Sequence, residues 1–504
     1  MRVQLGENWH ARPTQEGLEL MALERNIALE LSDLTFRDQL IAVLGGEEDV
    51  PAENNAFQET LRQLERAGAL SFVEQGPVSE KQPVGGARNV VDGIRRELVG
   101  LRGPVSEVYW LDPKQSRLSL SRTHLFTARY KEGIGEMDAW AGGSDVNWEM
   151  AELKAIMEAL ERYASSVVPR AELVEATPRE LGAQMIDPKR VVAYSEAQYR
   201  NEFPLCPFGS NKKYWWGKVT LAGSSEERFL PAECLYYPLP EELAPNRYTF
   251  ANSSGVAAGL TWEDAFARGL CESIERDAFM LVWFARLSMP RIDSHTVPEE
   301  QRVRVDMLES LGYRVYLVDM ILSPAPTILA IAVSEKERPS LVLGAAANFN
   351  KELAVAKALS ELEHQLYWEW RNPGNVYIIT DQEEVRGVLD HMALYASPKH
   401  LDKASFLWKG GLIPFSENPE DEKLTLQIVI ERLGKEGIRE IATADLTPQH
   451  LKEAGVSVVR AIPLGLVPIS FGYGMEPLGM PRYRKVAGQS SWWSEGHPFT
   501  HPFA

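Results

Sequence analysis

The hydrophobic and polar positions of this chain follow two periods, one typical of helices and one typical of strands. Apolar residues at helical spacing predict long helices over about Trp148–Val168, Thr261–Phe284 and Glu352–Trp370. Runs rich in β-branched and aromatic residues predict strands over Tyr313–Asp319 and Thr327–Val333. Strands that alternate with long helices indicate an α/β or α+β body with mixed sheets.

The first 74 residues show a different pattern from the rest of the chain. Two segments with helical spacing, Asp33–Leu44 and Ala56–Ala67, are followed by a predicted strand over Ala69–Val73. This order is typical of a winged-helix module, and it is equally typical of a small helical cap. Gln75–Ala87 is rich in glycine and proline, as linkers are. We therefore predict an N-terminal unit over residues 1–74, a linker over 75–87 and a catalytic body over 88–504.

The charge balance narrows the classes of function. The chain has 53 lysines and arginines against 71 aspartates and glutamates, a net charge of −18. A general nucleic-acid binder needs a cationic surface, so this composition argues against a nucleic-acid partner. No apolar run reaches the roughly 18 residues of a membrane span, and the first residues lack the apolar segment of a secretory signal. Three scattered cysteines do not form a disulfide framework, and together these features predict a cytoplasmic protein.

Two of the predicted helices carry the same Glu-x-x-Glu-Arg pattern. The residues are Glu158, Glu161 and Arg162 in the first helix, and Glu272, Glu275 and Arg276 in the second. Each pair of glutamates lies on one helix face, with the arginine one turn beyond the first glutamate. Surface ion pairs would have this spacing too, but both helices are otherwise largely apolar. Because buried carboxylates cost several kcal/mol unless they are paired or metal-bound, we predict that divalent cations, preferably Mg²⁺, bind here.

The segment before the second of these helices adds weaker candidates. Asn252–Gly259 consists largely of small residues and permits a ligand to approach the backbone closely. Asp264 lies about 12 Å along the helix from Glu272, so the two would hold opposite ends of a phosphate–metal cluster rather than one ion. Thr261–Asp264 equally resembles a helix-capping box. The sequence has no P-loop and no Gly-x-Gly-x-x-Gly after a strand, so the usual phosphate-binding loops are absent.

These residues together resemble the YcaO family, and within it the azoline-forming cyclodehydratases of ribosomal peptide biosynthesis. The resemblance covers about residues 88–504, and its blocks are Lys154–Ser166, Ser253–Asp293 and Asp445–Tyr483. It implies an enzyme that binds ATP and Mg²⁺ between the two carboxylate helices. By position, it implies metal ligation by Glu158, Glu161, Asp264, Glu272 and Glu275, and nucleotide contacts from these residues together with Lys154, Ser254 and Arg276.

The chain departs from the family pattern at several of these positions. Asp264 stands where a glutamate is usual, and Lys154 stands where many members have serine. Ser254 and Leu260 replace asparagines that are common elsewhere in the family. These departures keep open a second class of function, a non-catalytic ATP-binding scaffold that presents a peptide to a partner.

The last residues, Gly496–Ala504, are similar to the proline-rich tail of the cyclodehydratases, although they contain fewer prolines. Proline stiffens a chain into an extended conformation, so such a tail can reach a fixed place in an active site. The resemblance implies that the terminal carboxylate of Ala504 acts there as a base and that Arg276 neutralises phosphate charge. An unordered tail is the alternative.

The resemblance also implies a reaction and its partners. A Cys thiol, or a Ser or Thr hydroxyl, of a ribosomal precursor peptide would attack the preceding amide, and ATP would phosphorylate the amide oxygen. Loss of phosphate would then give a thiazoline or an oxazoline. Thioamidation and macroamidine formation at the same ATP site are the enzymatic alternatives. The implied protein partner is an E1-like leader-binding protein, and a flavin-dependent azoline dehydrogenase and a homodimer both stay open.

Overall fold

A computed structural model of the protein describes residues 2–5, 9–13, 18–22, 27–31, 70–73, 93–100, 103–111, 124–131, 138–200, 203–224, 226–371, 377–416, 424–487 and 499–503. The chain divides into two compact units, Met1–Gly86 and Ala87–Ala504. No helix in these described ranges has the length and apolar character that a membrane span requires.

The first unit contains short antiparallel strands. These are β1 (Arg2–Leu5), β2 (Trp9–Pro13), β3 (Leu18–Ala22), β4 (Ile27–Leu31) and β5 (Leu70–Val73). β1 pairs with β5, which is the strand predicted from the sequence, and β2, β3 and β4 form a sheet that was not predicted. The predicted helices Asp33–Leu44 and Ala56–Ala67 and the linker 75–87 lie outside the described residues. The winged-helix interpretation therefore stays a prediction.

The second unit is a mixed α/β body, which confirms the predicted fold class. In the described residues beyond Asn147, its helices are α1 (Trp148–Ser166), α2 (Pro178–Leu181), α3 (Glu196–Tyr199), α4 (Trp262–Phe284), α5 (Glu299–Ser310), α6 (Lys351–Arg371), α7 (Val388–Tyr395), α8 (Leu401–Ala404), α9 (Leu426–Lys435), α10 (Gln449–Glu453) and α11 (Pro481–Ala487). The three long helices predicted from the sequence correspond to α1, α4 and α6, with ends that differ by one or two residues.

The strands of the second unit form separate sheets. They are β6 (Val105–Trp110), β7 (His124–Lys131), β8 (Asp138–Asp145), β9 (Val174–Ala176), β10 (Tyr214–Leu221), β11 (Glu227–Pro231), β12 (Val256–Gly259), β13 (Arg291–Ile292), β14 (Arg314–Asp319), β15 (Thr327–Val333), β16 (Leu341–Ala347), β17 (Leu412–Ile413), β18 (Ile441–Asp445) and β19 (Ser457–Pro463). The sheet orders are β6-β7-β8, then β11-β10-β18-β19-β12 with β9 on β10, and β16-β15-β14-β13-β17.

The sheet that contains β15 and β16 forms part of the core. Both strands are buried along their whole length, and α6 and α4 pack against this sheet. A strand covered on both faces shows a continuous apolar run instead of alternation, as the sequence of Thr327–Val333 does. This packing fixes α6 beside α4.

The short strand β12 brings the two carboxylate helices together, because α1 and α4 both pack against it. Two glycines allow this close packing. Gly255 has a φ of 79°, and a Cβ there would lie 2.3 Å from the carbonyl oxygen of Ala461. A Cβ at Gly269 of α4 would lie 2.3 Å from the carbonyl oxygen of Gly255. A larger residue at Gly255 would collide with the backbone of β19, and one at Gly269 would push α4 away from the segment that precedes β12.

Candidate functional site

Helix α1 presents its glutamates to the space beside β12. Asn147 caps the helix by accepting a hydrogen bond from the backbone N–H of Met150, and the apolar face is fully buried. Glu158 accepts a hydrogen bond from the backbone N–H of Gly142 at 3.3 Å and pairs with Arg162 at 3.5 Å. The i,i+4 ion pair that was the alternative interpretation of this spacing therefore forms, but at the wall of a cavity and not on a solvated face.

Helix α4 presents the second set of carboxylates. Thr261 caps it by accepting a hydrogen bond from the backbone N–H of Asp264 at 3.1 Å. Glu272 accepts a hydrogen bond from the backbone N–H of Gly255 at 3.0 Å, and Glu275 accepts one from Ala347 at 3.3 Å. Arg276 lies 3.5 Å from Glu272 and 3.6 Å from Glu275. One guanidinium therefore serves two carboxylates on this helix.

These residues line one cavity of about 870 Å³, which we call the carboxylate cavity. Carboxylates outnumber cationic side chains in its wall by seven to five. The carboxylates are Asp145, Glu158, Glu161, Asp264, Glu272, Glu275 and Glu361, and the cations are Lys154, Arg162, Arg268, Arg276 and Lys357. Helices α1 and α4 thus bring their carboxylates to one cavity, as the predicted metal site requires, and α6 adds further charged residues.

Glu361 and Lys357 of α6 were not predicted from the sequence. Their helix has no Glu-x-x-Glu-Arg pattern, and its position beside α4 depends on sheet packing that is distant in sequence. One local signal was present, because Glu361 lies between Leu359 and Leu362 on a largely apolar helix. A carboxylate in such a position has the same unusual environment as the glutamates of α1 and α4.

The remaining predicted residues lie at the edges of the cavity or beside it. Lys154 pairs with Asp145 at 2.6 Å, and Asp264 pairs with Arg268 at 2.8 Å on the rim. Thr261 caps α4 through the backbone N–H of Asp264, and the Asp264 side chain pairs with Arg268 instead of completing a capping box, so its carboxylate lines the cavity. Ser254 lines the neighbouring cavity described below.

The electrostatics of the carboxylate cavity favour added positive charge. Burial raises the pKa of Glu275 well above its ordinary value, and Glu361 and Glu272 add to the shift against the opposing Arg276. Burial also raises the pKa of Glu161, with further contributions from Glu272 and Glu158 against Arg162. Desolvation in the cavity wall raises the pKa of Glu361 to about 7 although its side chain is accessible from the cavity, and Glu158 and Glu272 add to the shift against Arg276 and Lys357. Deprotonation of these groups is therefore unfavourable until a cation compensates for their charge.

A second, larger cavity adjoins the first and has a volume of about 1060 Å³. We call it the aromatic cavity, because several aromatic side chains line it, among them Tyr130, Tyr194, Phe203, Phe250 and Phe471. Arg162 and Arg276 line both cavities. Asn252 and Ser254 of the predicted small-residue segment line this cavity. The cavity itself was not predicted, because its wall comes from segments far apart in the chain.

The C-terminal tail packs beside Arg276. Phe503 is only 2% exposed, and the Arg276 guanidinium lies 4.6 Å from the centre of its ring. The carbonyl oxygen of Thr500 accepts a hydrogen bond from Tyr395, and Nε2 of His501 lies 2.8 Å from the carbonyl oxygen of Ser470. The alternative of an unordered tail is therefore wrong for residues 499–503. Ala504 lies outside the described residues, so its role as a base stays a prediction.

Shortening Phe503 to alanine is expected to destabilise the protein by about 3–5 kcal/mol, because it leaves a cavity in the core. The free energy of unfolding in urea measures this loss. The matched control is Leu389→Ala, whose side chain is 72% exposed and whose removal is expected to change stability by no more than about 0.5 kcal/mol. Equal stability of the two variants would show that the tail does not anchor the fold.

Comparison with known proteins identifies the family. Residues 142–466 match the family model described as YcaO cyclodehydratase, ATP- and Mg²⁺-binding. The chain belongs to the YcaO family. ATP and Mg²⁺ are therefore its cofactors.

The relatives of this YcaO chain are distant. An uncharacterized protein of Methanothermobacter thermautotrophicus is 25% identical over 343 residues, which cover 66% of this chain and 82% of that protein. A heterocyclase in complex with substrate and cofactor has a TM-score of 0.64 at 20% identity, covering 82% of this chain and 57% of the heterocyclase. The YcaO protein of Methanopyrus kandleri, bound with AMPPCP and Mg²⁺, has a TM-score of 0.53 at 17% identity, covering 81% of this chain and 91% of that one. These similarities establish a shared fold.

The residues of the carboxylate cavity fit these cofactors. In the described part of this YcaO chain, no three Asp, Glu, His or Cys side chains form a group that would hold a metal ion by themselves. Mg²⁺ is ordinarily bound through one or two carboxylates together with phosphate oxygens and water. Carboxylates in pairs with arginines beside them therefore suit Mg²⁺ that is carried by a polyphosphate.

The raised pKa values predict a pH-dependent effect of Mg·ATP on stability. A carboxyl group whose pKa is higher in the folded than in the unfolded protein contributes stability that is fully present at a pH below the unfolded pKa of about 4.5. This contribution is lost as the pH rises through the folded pKa, which is about 7 for Glu361. Cation binding needs the deprotonated form, so affinity should rise by up to about tenfold per pH unit in this range. Thermal unfolding between about pH 5 and 8, with and without Mg·ATP, measures the effect.

Glu361→Gln is the control for this prediction. The protonation of ATP itself is the same in the experiments on both proteins. Any difference between their pH profiles therefore comes from the cavity. We expect the stabilisation by Mg·ATP to depend less steeply on pH in the variant. Identical pH profiles for the two proteins would contradict the assignment of Glu361 to the site.

Proposed function

We propose that this YcaO protein is an ATP-dependent cyclodehydratase that forms azolines in a ribosomal precursor peptide. The thiol sulfur of Cys, or the hydroxyl oxygen of Ser or Thr, loses its proton and forms a bond to the preceding amide carbon. The amide oxygen takes the γ-phosphoryl group of ATP and leaves as inorganic phosphate, and the amide nitrogen loses its proton. One ATP is converted to ADP for each ring, and the peptide loses one water. The closed ring is a thiazoline from Cys or an oxazoline from Ser or Thr.

The observation that supports this proposal most strongly is the pair of adjoining cavities that share Arg162 and Arg276. The carboxylate cavity has the charge and the donors for Mg·ATP, and the aromatic cavity has the size and lining for a peptide segment. The two arginines are the cationic side chains that face both spaces. An enzyme that couples a nucleotide to a peptide amide needs this arrangement.

The site residues predicted from the sequence have proposed roles. Glu158, Glu161, Glu272 and Glu275 would hold Mg²⁺, and Asp264, about 12 Å from Glu272 along α4, would hold an ion at the opposite end of the phosphate chain. When bound, Mg·ATP supplies the phosphoryl group that makes the amide oxygen a leaving group. Arg276 is the proposed catalytic cation, because its guanidinium donates toward charge that develops between the two cavities. Lys154 contributes at the rim, and Ser254 contacts the side of the site that faces the peptide.

The chain supplies little covalent chemistry of its own in this proposal. Cys271 lines the carboxylate cavity, but burial raises the pKa of its thiol to about 12, so it is protonated at neutral pH and is not a nucleophile. The tail that ends in Ala504 is proposed to bring a carboxylate base to the site, because the preceding residues are already fixed beside Arg276. Catalysis then rests mainly on positioning and charge neutralisation.

The proposed partners follow from the reaction. The precursor peptide is the substrate, and an E1-like protein binds its leader. A flavin-dependent dehydrogenase would oxidise the azolines to aromatic rings. The N-terminal unit over residues 1–74 is proposed to bind either the leader or the partner.

The proposal is tested with the purified full chain, Mg·ATP and a peptide pool that carries single Cys, Ser or Thr residues, with and without an E1-like partner. Phosphate release and peptide mass are measured together. We expect phosphate release that depends on peptide and loss of one water per modified residue. In Cys peptides, the thiol should no longer react with iodoacetamide.

Each rival function has its own outcome in this experiment. In parallel reactions supplied with sodium sulfide, exchange of oxygen for sulfur without loss of water would indicate thioamidation. Loss of water with the thiol still reactive and an amine consumed would indicate a macroamidine. Unchanged peptide masses with no phosphate release, under either condition, would contradict catalysis and favour a scaffold that binds ATP.

A further inference from the structure

The aromatic cavity contains a buried cation that the proposed phosphate chemistry does not use. Arg460 lies on β19, where it pairs with Val256 of β12 and Ala444 of β18. It is 6% exposed and lines the aromatic cavity. Its position on a central strand fixes the backbone from which the guanidinium projects.

The guanidinium of Arg460 has donors without acceptors. Nη2 donates to Oδ1 of Asn252 at 3.3 Å. Nε and Nη1 are buried and have no hydrogen-bond partner among the residues that the structure describes. Within the same ranges, no carboxylate lies within ion-pairing distance of this side chain. Arg460 is therefore held in place but not neutralised.

An unpaired buried cation is unfavourable for the fold. Burial lowers the pKa of Arg460 to about 10, against weak opposing effects of Cys234, Glu272 and Tyr248, so the side chain is still charged at neutral pH. Desolvation of such a charge costs several kcal/mol unless a partner compensates for it. A partner that arrives with a ligand would provide this compensation, because the planar fork of arginine matches a carboxylate.

The lining of the cavity indicates what the ligand is. Aromatic side chains such as Tyr194 and Phe203 surround the space, and Asn252, Ser273 and Arg276 add polar groups near Arg460. A few polar groups in a mostly apolar cavity are typical of sites for organic ligands. The volume of about 1060 Å³ accommodates a short peptide.

We infer that Arg460 binds a carboxylate of the peptide that occupies the aromatic cavity. This inference rests on the proposed function, and it adds a specificity-determining residue to it. The carboxylate comes either from an acidic side chain of the peptide or from its C-terminus, and both present the same pair of oxygens to the guanidinium. Peptides without a carboxylate in reach leave Arg460 unpaired and bind more weakly.

Binding of matched small probes to the full chain tests this inference. N-acetylphenylalanine and its amide compare a C-terminal carboxylate with its neutral analogue. N-acetyl-Asp-Phe-amide and N-acetyl-Asn-Phe-amide compare an acidic side chain with its neutral analogue. By calorimetry, we expect wild-type protein to bind the acid of at least one pair about tenfold or more tightly than its neutral analogue, and the pair that discriminates identifies the source of the carboxylate.

Three substitutions separate a binding role from a structural one. Arg460→Met is expected to bind acid and neutral probes within about twofold of each other and to raise the melting temperature, because it removes an unpaired buried charge. Arg460→Lys is expected to keep part of the preference for the acids. Asn252→Ala leaves the charge in place and is expected to keep the preference while weakening both members of a pair.

The inference is overturned if wild-type protein binds acids and neutral analogues equally, a comparison that needs no variant. It is also overturned if Arg460→Met keeps the full preference, or if Arg460→Met and Arg460→Lys both unfold at lower temperature than wild type. Mg·ATP binding is measured on the same samples. Its absence in wild type would contradict the proposed function, whereas the preference for carboxylates is scored independently of it.

Discussion

Replacing Glu275 with glutamine is expected to lower the rate of ATP hydrolysis by about 100- to 1000-fold and to leave the ligand-free protein at least as stable as wild type. Glu275 is 7% exposed and is repelled by Glu361 and Glu272, so the fold gains nothing from its charge. Glutamine keeps the shape and the acceptor for the backbone N–H of Ala347. The lost charge is needed only when Mg·ATP is bound.

The measurements for this variant are steady-state phosphate release and thermal unfolding without nucleotide. Glu263→Gln is the matched control, because Glu263 is exposed on the first turn of the same helix and does not line the carboxylate cavity. It is expected to change neither quantity. A Glu275→Gln variant with wild-type activity, or one that loses stability by several degrees, would show that Glu275 supports the fold and not the metal.

Replacing Arg276 with lysine is expected to lower kcat by about 10- to 100-fold with a smaller change in KM for ATP. Lysine keeps the positive charge, so binding of the nucleotide is largely preserved. It loses the planar fork that lies 3.5 Å from Glu272 and 3.6 Å from Glu275, and it loses the stacking on Phe503. The substitution therefore removes the ion-pairing and stacking geometry of the guanidinium at the wall between the two cavities.

Steady-state kinetics at saturating peptide separates the two effects for Arg276→Lys. The control is Arg302→Lys on α5, whose side chain is on the surface and lies 3.9 Å from Glu299. A large rise in KM with unchanged kcat would contradict the proposed role and place Arg276 in nucleotide binding alone.

Much of the catalytic body could be predicted because its signals are local. The spacing of apolar residues predicted α1, α4 and α6, and α4 begins at Trp262, one residue after its cap Thr261. The Glu-x-x-Glu-Arg pattern identified carboxylates on largely apolar helices, which is an unfavourable arrangement without a ligand. These inferences depend on residues within about two helical turns of one another.

What could not be predicted depends on contacts between distant segments. Glu361 faces the glutamates of α1 and α4 only because α6 packs on the sheet that α4 also touches. Ser254 lies in a segment that precedes β12, and its cavity could not be chosen before the packing of Gly255 and Gly269 was known. The position of Phe503 beside Arg276 likewise joins two parts of the chain that are more than 200 residues apart.

The central claim is that carboxylates from separate helices bind the cations that accompany ATP. A crystal structure of the full chain with a non-hydrolysable ATP analogue and Mn²⁺ tests it most directly, because anomalous scattering locates each ion independently of the protein. We expect ions within about 2.0–2.3 Å of oxygens from Glu158 or Glu161 and from Glu272 or Glu275, with phosphate oxygens completing each coordination shell. Nucleotide and ions bound elsewhere, with the carboxylate cavity filled only by water, would contradict the account.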